Sequence, residues 1–145
     1  MLVAPGAGRD YTEVMDDLKP KLVIIDEDAA FLTAITRTLS PQYAVTAFGA
    51  DWTYARIVAM SPDLIRLDVR MAEPGAFDLC RRLRVDPRFA RTPIVFLSSA
   101  RTDEDYRRYL SAGGSRFLNK VIGHRHLLAA LSEELAVARA EPQPK

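Results

Sequence analysis

The chain has 145 residues, of which 48% are hydrophobic and 27% are charged, with a formal net charge of +1. This size and balance predict one globular domain with a buried core, and the small net charge argues against general nucleic-acid or membrane-surface binding. No stretch approaches the ~20 apolar residues of a membrane span, and the N-terminal "MLVAPGAGRD" is too broken by proline and glycine for a secretory signal, so we expect a cytoplasmic protein. The single cysteine, Cys80, excludes an intrachain disulfide and is expected to be a small core residue of a helix.

Short apolar runs alternate with amphipathic stretches along most of the chain. Residues 1–19 are expected to form a peripheral tail with a short helix over "DYTEVMDDL", and residues 139–145 a loose terminus or linker. Between them the patterns predict five strands, at "KLVIID" (21–26), "YAVTAF" (43–48), "DLIRL" (63–67), "PIVFLS" (93–98) and "RFLN" (116–119). A stretch with helical spacing follows each strand. This alternation predicts an α/β domain over residues 20–138, with a parallel sheet covered by helices on both faces.

Polar side chains follow four of these strands where each strand ends. They are Asp26, Glu27 and Asp28 after the first, Asp68 after the third, Ser98 and Ser99 after the fourth, and Lys120 after the fifth. Ligands of such sheets bind at the carboxyl ends of strands, so these side chains can converge. Clustered carboxylates repel each other, and a hard cation such as Mg²⁺ or a phosphoryl group would balance them. Each residue also has a simpler explanation: Asp28 is a good helix N-cap, serines are common in turns, and a lysine there is usually solvated.

Four segments carry a family resemblance: "LVIIDED", "PDLIRLDVRM", "TPIVFLSSA" and "AGGSRFLNK". They resemble the signature segments of the response-regulator receiver domain, and the resemblance covers about residues 20–138. It implies a flavodoxin-like (βα)5 fold, doubly wound, with strand order 2-1-3-4-5. It also implies a signalling domain rather than an ordinary enzyme. A histidine kinase or phosphotransfer protein would donate a phosphoryl group, and a downstream protein or output domain would read the change.

The same resemblance assigns roles to individual residues. Asp68 would be the phosphoacceptor, with Mg²⁺ held by Asp26, Glu27, Asp68 and the main-chain carbonyl of Arg70. Lys120 would neutralise developing charge, and Ser98 and Phe117 would be the switch hydroxyl and the switch aromatic. The intervals from Asp68 to Ser98 and from Ser98 to Lys120 are those of the family. A homodimer through the fourth helix, fifth strand and last helix is a further possibility that the resemblance raises.

Three positions in the loops depart from the family pattern. Ala72 stands where a proline is usual, and Gly75-Ala76 replaces the usual Asp-Gly before the third helix. Val121 replaces the proline that follows the lysine in a cis peptide. Because a cis bond before a residue other than proline costs about 2.5–4 kcal/mol, we expect Lys120–Val121 to be trans.

Arginines and histidines raise separate questions. Arg66 stands where the family has an aliphatic strand residue and shares a strand face with Asp68. A buried unpaired guanidinium is costly, so Arg66 must reach water, pair with an acid or lie under a displaced helix; we expect its head to reach water. The arginines of "RRLRVDPRFAR" are expected to form a solvated helix end without nucleic-acid contact. His124 and His126 are expected on the surface, where a partner could dock.

Two other functions compete with phosphoryl acceptance. The changes at Ala72, Ala76 and Val121 favour a phosphorylation-independent interaction module that keeps the fold without the switch, whereas the intact acids, serine and lysine oppose it. A small haloacid-dehalogenase-like phosphohydrolase also uses an aspartate nucleophile at a strand end. Its motif needs a second acid two residues later, where this chain has Arg70.

Overall fold

The computed structural model describes residues 8–71, 75–100 and 102–140. Within them six helices alternate with five strands: α1 (Tyr11–Asp17), β1 (Lys21–Ile25), α2 (Ala29–Leu39), β2 (Ala44–Phe48), α3 (Tyr54–Met60), β3 (Leu64–Asp68), α4 (Ala76–Val85), β4 (Ile94–Ser98), α5 (Asp103–Ala112), β5 (Arg116–Asn119) and α6 (His124–Ala140). Ala72 and the outer parts of the two predicted tails lie outside the described residues. No helix in the described part of the chain is long and apolar enough to cross a lipid bilayer.

The sheet is parallel throughout, with strand order β2-β1-β3-β4-β5. Every residue of the central strands β3 and β4 is buried, because helices cover both faces of the sheet there. The order reverses direction at β1, whose carboxyl end lies beside that of β3. The predicted fold class and strand order are therefore confirmed.

Local sequence signals explain where several helices begin and end. The Asp28 carboxylate accepts a hydrogen bond from the Phe31 amide (3.1 Å), so the predicted N-cap of α2 is confirmed. The predicted N-terminal helix also forms, and Asp10 and Glu13 make its capping box. At the other end of a helix, Gly113 adopts a left-handed conformation (φ 88°) that closes α5.

The sheet separates two hydrophobic cores. One lies under α3, α4 and α5 and includes Ile65, Leu67, Phe96 and Phe117 from the strands. The other lies under α2 and α6 and includes Leu22, Ile24, Leu64, Val95 and Leu97. Cys80 is buried in the first core, with its thiol 3.2 Å from the Ala112 carbonyl oxygen, as expected of a structural cysteine. We call these the α3–α5 core and the α2–α6 core.

The expectation of a solvated arginine cluster at the end of α4 is wrong for Arg84. Its guanidinium donates to the carbonyl oxygens of Gly113 (2.8 Å) and Phe89 (3.0 Å) and to the Ser115 hydroxyl (3.1 Å). The Gly113 carbonyl follows the end of α5, and the Phe89 carbonyl lies in a loop, where it also accepts a hydrogen bond from the Thr92 amide. Arg84 therefore joins the end of α4 to the loops on either side, and Arg81 and Arg88 remain exposed as expected.

Candidate functional site

Two acids and a lysine meet at the carboxyl end of the sheet. Asp68 ends β3, Asp26 directly follows the neighbouring β1, and Lys120 follows β5. The Lys120 ammonium lies 2.9 Å from Asp26 Oδ2 and 3.2 Å from Asp68 Oδ2. Because β4 separates β3 from β5, only a long side chain from the end of β5 can reach both acids. The structure therefore brings together three of the residues that the sequence placed in one site.

Asp68 is 5% exposed and is held by the turn that follows it. Its Oδ1 accepts a hydrogen bond from the Arg70 amide (3.1 Å), which fixes the orientation of the carboxyl group. Burial raises the pKa of Asp68 above its ordinary value, although the Arg70 hydrogen bond opposes this and the negative charge of Asp26 adds to it. Asp68 is thus a desolvated carboxylate with a cation on one side.

Asp26 is fully buried, and its carboxylate contacts two cationic side chains and one main-chain amide. Its Oδ1 accepts hydrogen bonds from the Asp28 amide (2.9 Å) and from Lys120 (3.1 Å). Burial alone would raise the pKa of Asp26, but the hydrogen bonds from Lys120 and Asp28 and the charge of Arg66 hold it below its ordinary value. Asp26 is therefore a fixed anion behind Asp68.

Arg66 contradicts the expectation that its head reaches water. The residue is fully buried, and its Nη2 donates to Asp26 Oδ2 at 2.9 Å. The guanidinium also lies over the ring of Phe31, 5.2 Å from its centroid, so α2 closes this side of the site. Burial lowers the pKa of Arg66, and the charges of Asp26 and Asp68 oppose that change. Of the three possibilities considered, pairing with an acid is the one observed.

The pair between Arg66 and Asp26 was missed from the sequence, although a signal for it exists. Arg66 is in register with Ile24 of the neighbouring strand. Asp26 lies two residues beyond Ile24 and so faces the same side of the sheet. The strand order therefore places a carboxylate diagonally opposite Arg66. The guanidinium pairs with that carboxylate and does not extend to the solvent.

Glu27 and Arg70 are both exposed and lie at the same end of the sheet, next to Asp26 and Asp68 in sequence. In the described part of the chain, no three His, Cys, Asp or Glu side chains are gathered as a metal-binding group. A Mg²⁺ ion needs less than that, because it usually takes one or two carboxylates and keeps several waters. The carboxylates of Glu27 and Asp68 and the Arg70 carbonyl are oxygen donors of the type that fits such an ion.

Ser98 and Phe117 lie on the other side of the sheet. Ser98 is buried, and its hydroxyl donates to the Ala100 carbonyl oxygen (2.6 Å), so it is engaged within its own loop. Phe117 is also buried and meets Tyr109 edge-on, with ring centroids 5.5 Å apart. By strand alternation both residues face the α3–α5 core.

The loops that depart from the family pattern have defined local structure where they are described. Gly75 has a positive φ of 57° and precedes α4 without a side-chain cap, and Ala76 is buried. Val121 is 81% exposed, and its amide donates to Asn119 Oδ1 (3.0 Å). His124 and His126 are exposed as expected, with His124 Nδ1 3.2 Å from the Thr38 hydroxyl of α2.

The architecture defines a doubly wound, flavodoxin-like domain with an acidic site at the point where the strand order reverses. The family model described as the response regulator receiver domain matches residues 22–132, and the chain belongs to that family. It is a receiver domain of the type found in two-component response regulators. Members of this family are signalling domains, and phosphorylation and Mg²⁺ are typical of them.

Individual relatives agree with this assignment. Protein RcaC of Microchaete diplosiphon is 30% identical over 86% of this chain and 19% of RcaC. The DNA-binding response regulator MtrA of Mycobacterium tuberculosis is 28% identical over 88% of this chain and 56% of MtrA. The chain thus spans about half or less of the length of these relatives. Chemotaxis protein CheY4 of Vibrio cholerae has the same fold, with a TM-score of 0.73 and 21% identity over 79% of this chain and 98% of CheY4.

Proposed function

We propose that this domain accepts a phosphoryl group on Asp68 from the phosphohistidine of a kinase or phosphotransfer protein. The observation that carries the proposal is the contact of Asp68 with Lys120 at 3.2 Å, beside the buried Asp26. A structural strand-end acid would need neither a reaching lysine nor a second buried carboxylate.

The reaction would proceed by attack of an Asp68 carboxylate oxygen on the phosphorus atom. The new bond is an acyl phosphate, the P–N bond to the histidine breaks, and its electron pair returns to the imidazole. The Lys120 ammonium lies against Asp68 Oδ2, the oxygen that would attack. It can therefore stabilise the negative charge that develops on the phosphoryl oxygens. The amide of Arg70 holds the other carboxylate oxygen in place.

Of the four metal ligands that the resemblance assigns, Glu27, Asp68 and the main-chain carbonyl of Arg70 are proposed to contact a divalent ion directly. Asp26, whose oxygens already bind Lys120, Arg66 and the Asp28 amide, is proposed to act as a charge behind them. When bound, Mg²⁺ would neutralise charge on the phosphoryl oxygens. The chain's own residues hold the site in place. Asp26 is bound by Lys120 and the Asp28 amide, and the ring of Phe31 from α2 lies against the cationic groups of Arg66 and Lys120.

The response to phosphorylation would involve Ser98 and Phe117. The Ser98 hydroxyl would leave the Ala100 carbonyl and donate to a phosphoryl oxygen, which moves the loop after β4. That loop leads into α5, whose Tyr109 packs on Phe117, so the surface of α5, β5 and α6 would change with it. A downstream protein, or an output domain as in the longer relatives, would read this surface. A homodimer through the same surface is also proposed.

Intact-mass measurement after incubation with acetyl phosphate and Mg²⁺ tests the assignment. The wild-type chain should gain one phosphoryl group, and Asp68→Asn should gain none. Asp63→Asn is the matched control, because Asp63 lies at the opposite end of the same strand, where it accepts a hydrogen bond from the Lys21 amide. This control should be labelled like the wild type. Labelling of Asp68→Asn would contradict the assignment, and an unlabelled wild type would favour the phosphorylation-independent module.

A further inference from the structure

The acidic site contains its own balance of charges. Asp26 and Asp68 contribute two negative charges, and Arg66 and Lys120 contribute two positive charges, all within one contiguous group of contacts. Arg66 occupies a position at which the family has an aliphatic residue. The buried part of the site is therefore electrically neutral before any ion is added.

The hydrogen bonding of Arg66 is too incomplete for the residue to stabilise the fold well. Its Nε and Nη1 atoms are buried and have no hydrogen-bond partner among the described residues, whereas Nη2 is paired with Asp26. Leaving buried donors unpaired is costly, and buried ion pairs in general contribute little to stability. An aliphatic side chain would fill this strand position at lower cost, so the charge of Arg66 needs another explanation.

We propose that Arg66 is a permanent counter-ion of the acidic site, which weakens Mg²⁺ binding by supplying part of the positive charge from the protein itself. Arg66 is a positioning residue, because it acts through Asp26. Its guanidinium binds Asp26 Oδ2 and repels a Mg²⁺ ion that approaches the site. The inference rests on the metal site of the proposed function.

The expected size of the effect follows from electrostatics. A fixed positive charge close to a divalent site in a partly buried environment changes a dissociation constant by about tenfold. Removal of Arg66 also frees Asp26 Oδ2 from one of its two cations, which acts in the same direction. Both effects predict tighter binding of Mg²⁺ when Arg66 is replaced by an uncharged residue.

The experiment is a Mg²⁺ titration followed by amide NMR shifts, on the full chain without phosphodonor. Arg66→Met and Arg66→Leu remove the charge, and Arg66→Lys retains it. Arg116→Met is the charge-matched control, because Arg116 begins β5 at the amino end of the parallel sheet, away from the acidic site, and pairs with Glu133 of α6 (2.8 Å). The dissociation constant should fall about tenfold in Arg66→Met and Arg66→Leu, and should stay near the wild-type value in Arg66→Lys and Arg116→Met.

Each other outcome counts against the proposal. Equal or weaker Mg²⁺ binding by folded Arg66→Met and Arg66→Leu would overturn it, as would equally tight binding by Arg66→Lys or Arg116→Met. Failure of both uncharged variants to fold would show that Arg66 is a structural requirement rather than a dispensable counter-ion. Absence of Mg²⁺ binding in every variant would overturn the metal site of the proposed function as well, whereas the phosphoacceptor assignment of Asp68 is tested separately by mass.

Discussion

Arg66 and Asp26 are unequal partners, because only one of them can be removed without leaving an uncompensated buried charge. Without Arg66, Asp26 keeps Lys120 and the Asp28 amide. Without Asp26, the nearly enclosed guanidinium of Arg66 loses its only hydrogen-bond acceptor among the described residues. The structure therefore predicts that the fold tolerates replacement of Arg66 but not replacement of Asp26.

Urea denaturation of Arg66→Met and Asp26→Ala tests this difference. Arg66→Met should change the free energy of unfolding by no more than about 1 kcal/mol, because Asp26 keeps Lys120 and the Asp28 amide and the variant removes two buried donors that lack partners among the described residues. Asp26→Ala should lower it by about 3–5 kcal/mol, because a buried charge is left alone. Equal losses in the two variants would contradict the reasoning.

Cys80 provides a second prediction at the scale of single residues. Burial raises the pKa of its thiol to about 11, from an ordinary value of 9.0. The thiol should therefore stay protonated and unreactive toward a disulfide reagent at pH 8, and should react when the chain is unfolded in guanidinium. Because the pKa is raised on folding, the free energy of unfolding contributed by this thiol is retained below pH 9 and declines as the pH rises toward 11. Fast labelling of the native protein would show that the α3–α5 core opens readily.

Single residues also show what the sequence can reveal about the site. The positions of Asp68 and Lys120 follow from strand ends, and in the structure the two side chains are in contact. The environment of Arg66 could not be obtained in the same way, because strand alternation gives a face but not the partner across it. The partner became identifiable only when the register of β1 against β3 was known.

At the scale of elements, the connection from α5 to β5 is tightly packed around Gly114. A Cβ atom added to Gly114 would lie 2.6 Å from Phe96 Cε2 and as close to the Tyr109 ring. Both rings are part of the aromatic group that also contains Phe117. The glycine is therefore required by space.

Gly114→Ala should lower the free energy of unfolding by about 1–3 kcal/mol, because the rings must move to admit the methyl group. Gly49→Ala is the matched control, since the nearest atoms to an added Cβ there, the Asp26 carbonyl oxygen and Asp51 Oδ1, would both lie at an ordinary 3.9 Å. The control should change stability by no more than about 0.5 kcal/mol. Thermal or urea unfolding of both variants measures the difference, and equal effects would refute the steric explanation.

The bounds of helices and strands were largely predictable because turn residues and caps mark them. Asp28 starts α2, as predicted, and a glycine in a left-handed conformation, Gly113, ends α5. The role of Arg84 was not predictable, because it depends on the carbonyl group of Gly113, which lies 29 residues further along the chain. A cluster of charges in the sequence indicates an exposed helix end, but it does not show which arginine side chain folds back to bind the neighbouring loops.

At the scale of the whole molecule, the site joins strands from the middle and the edge of the sheet through Lys120. A ligand that binds only the folded site therefore stabilises the entire domain by mass action. Beryllofluoride with Mg²⁺, a mimic of the acyl phosphate, should raise the melting temperature of the wild-type chain. The stabilisation should reach about 2.7 kcal/mol at a concentration 100 times the dissociation constant.

The control for this measurement is fluoride and Mg²⁺ without beryllium, which should cause a smaller increase in melting temperature. Asp68→Asn should show no additional increase when beryllium is included, because it lacks the carboxylate that would bind the mimic. An increase of equal size in wild type and Asp68→Asn would place the binding site elsewhere.

The architecture of the molecule was the most predictable property, because alternating apolar runs and helical stripes repeat five times and allow few arrangements. The strand order came from the family resemblance and is confirmed. The trans geometry expected at Lys120–Val121 remains a prediction, as do the roles of Glu27 and Ser98.

The side chains on the two faces of the sheet can be varied separately, because they belong to two separate cores. Arg66 faces the α2–α6 core, and its cation–π contact with Phe31 lies on that side. Phe117 and the tyrosines of α5 belong to the opposite layer. Protein engineers could therefore vary the side chains of the α2–α6 core and those of the α3–α5 core in separate libraries and combine the selected variants, because the two sets lie on opposite faces of the sheet.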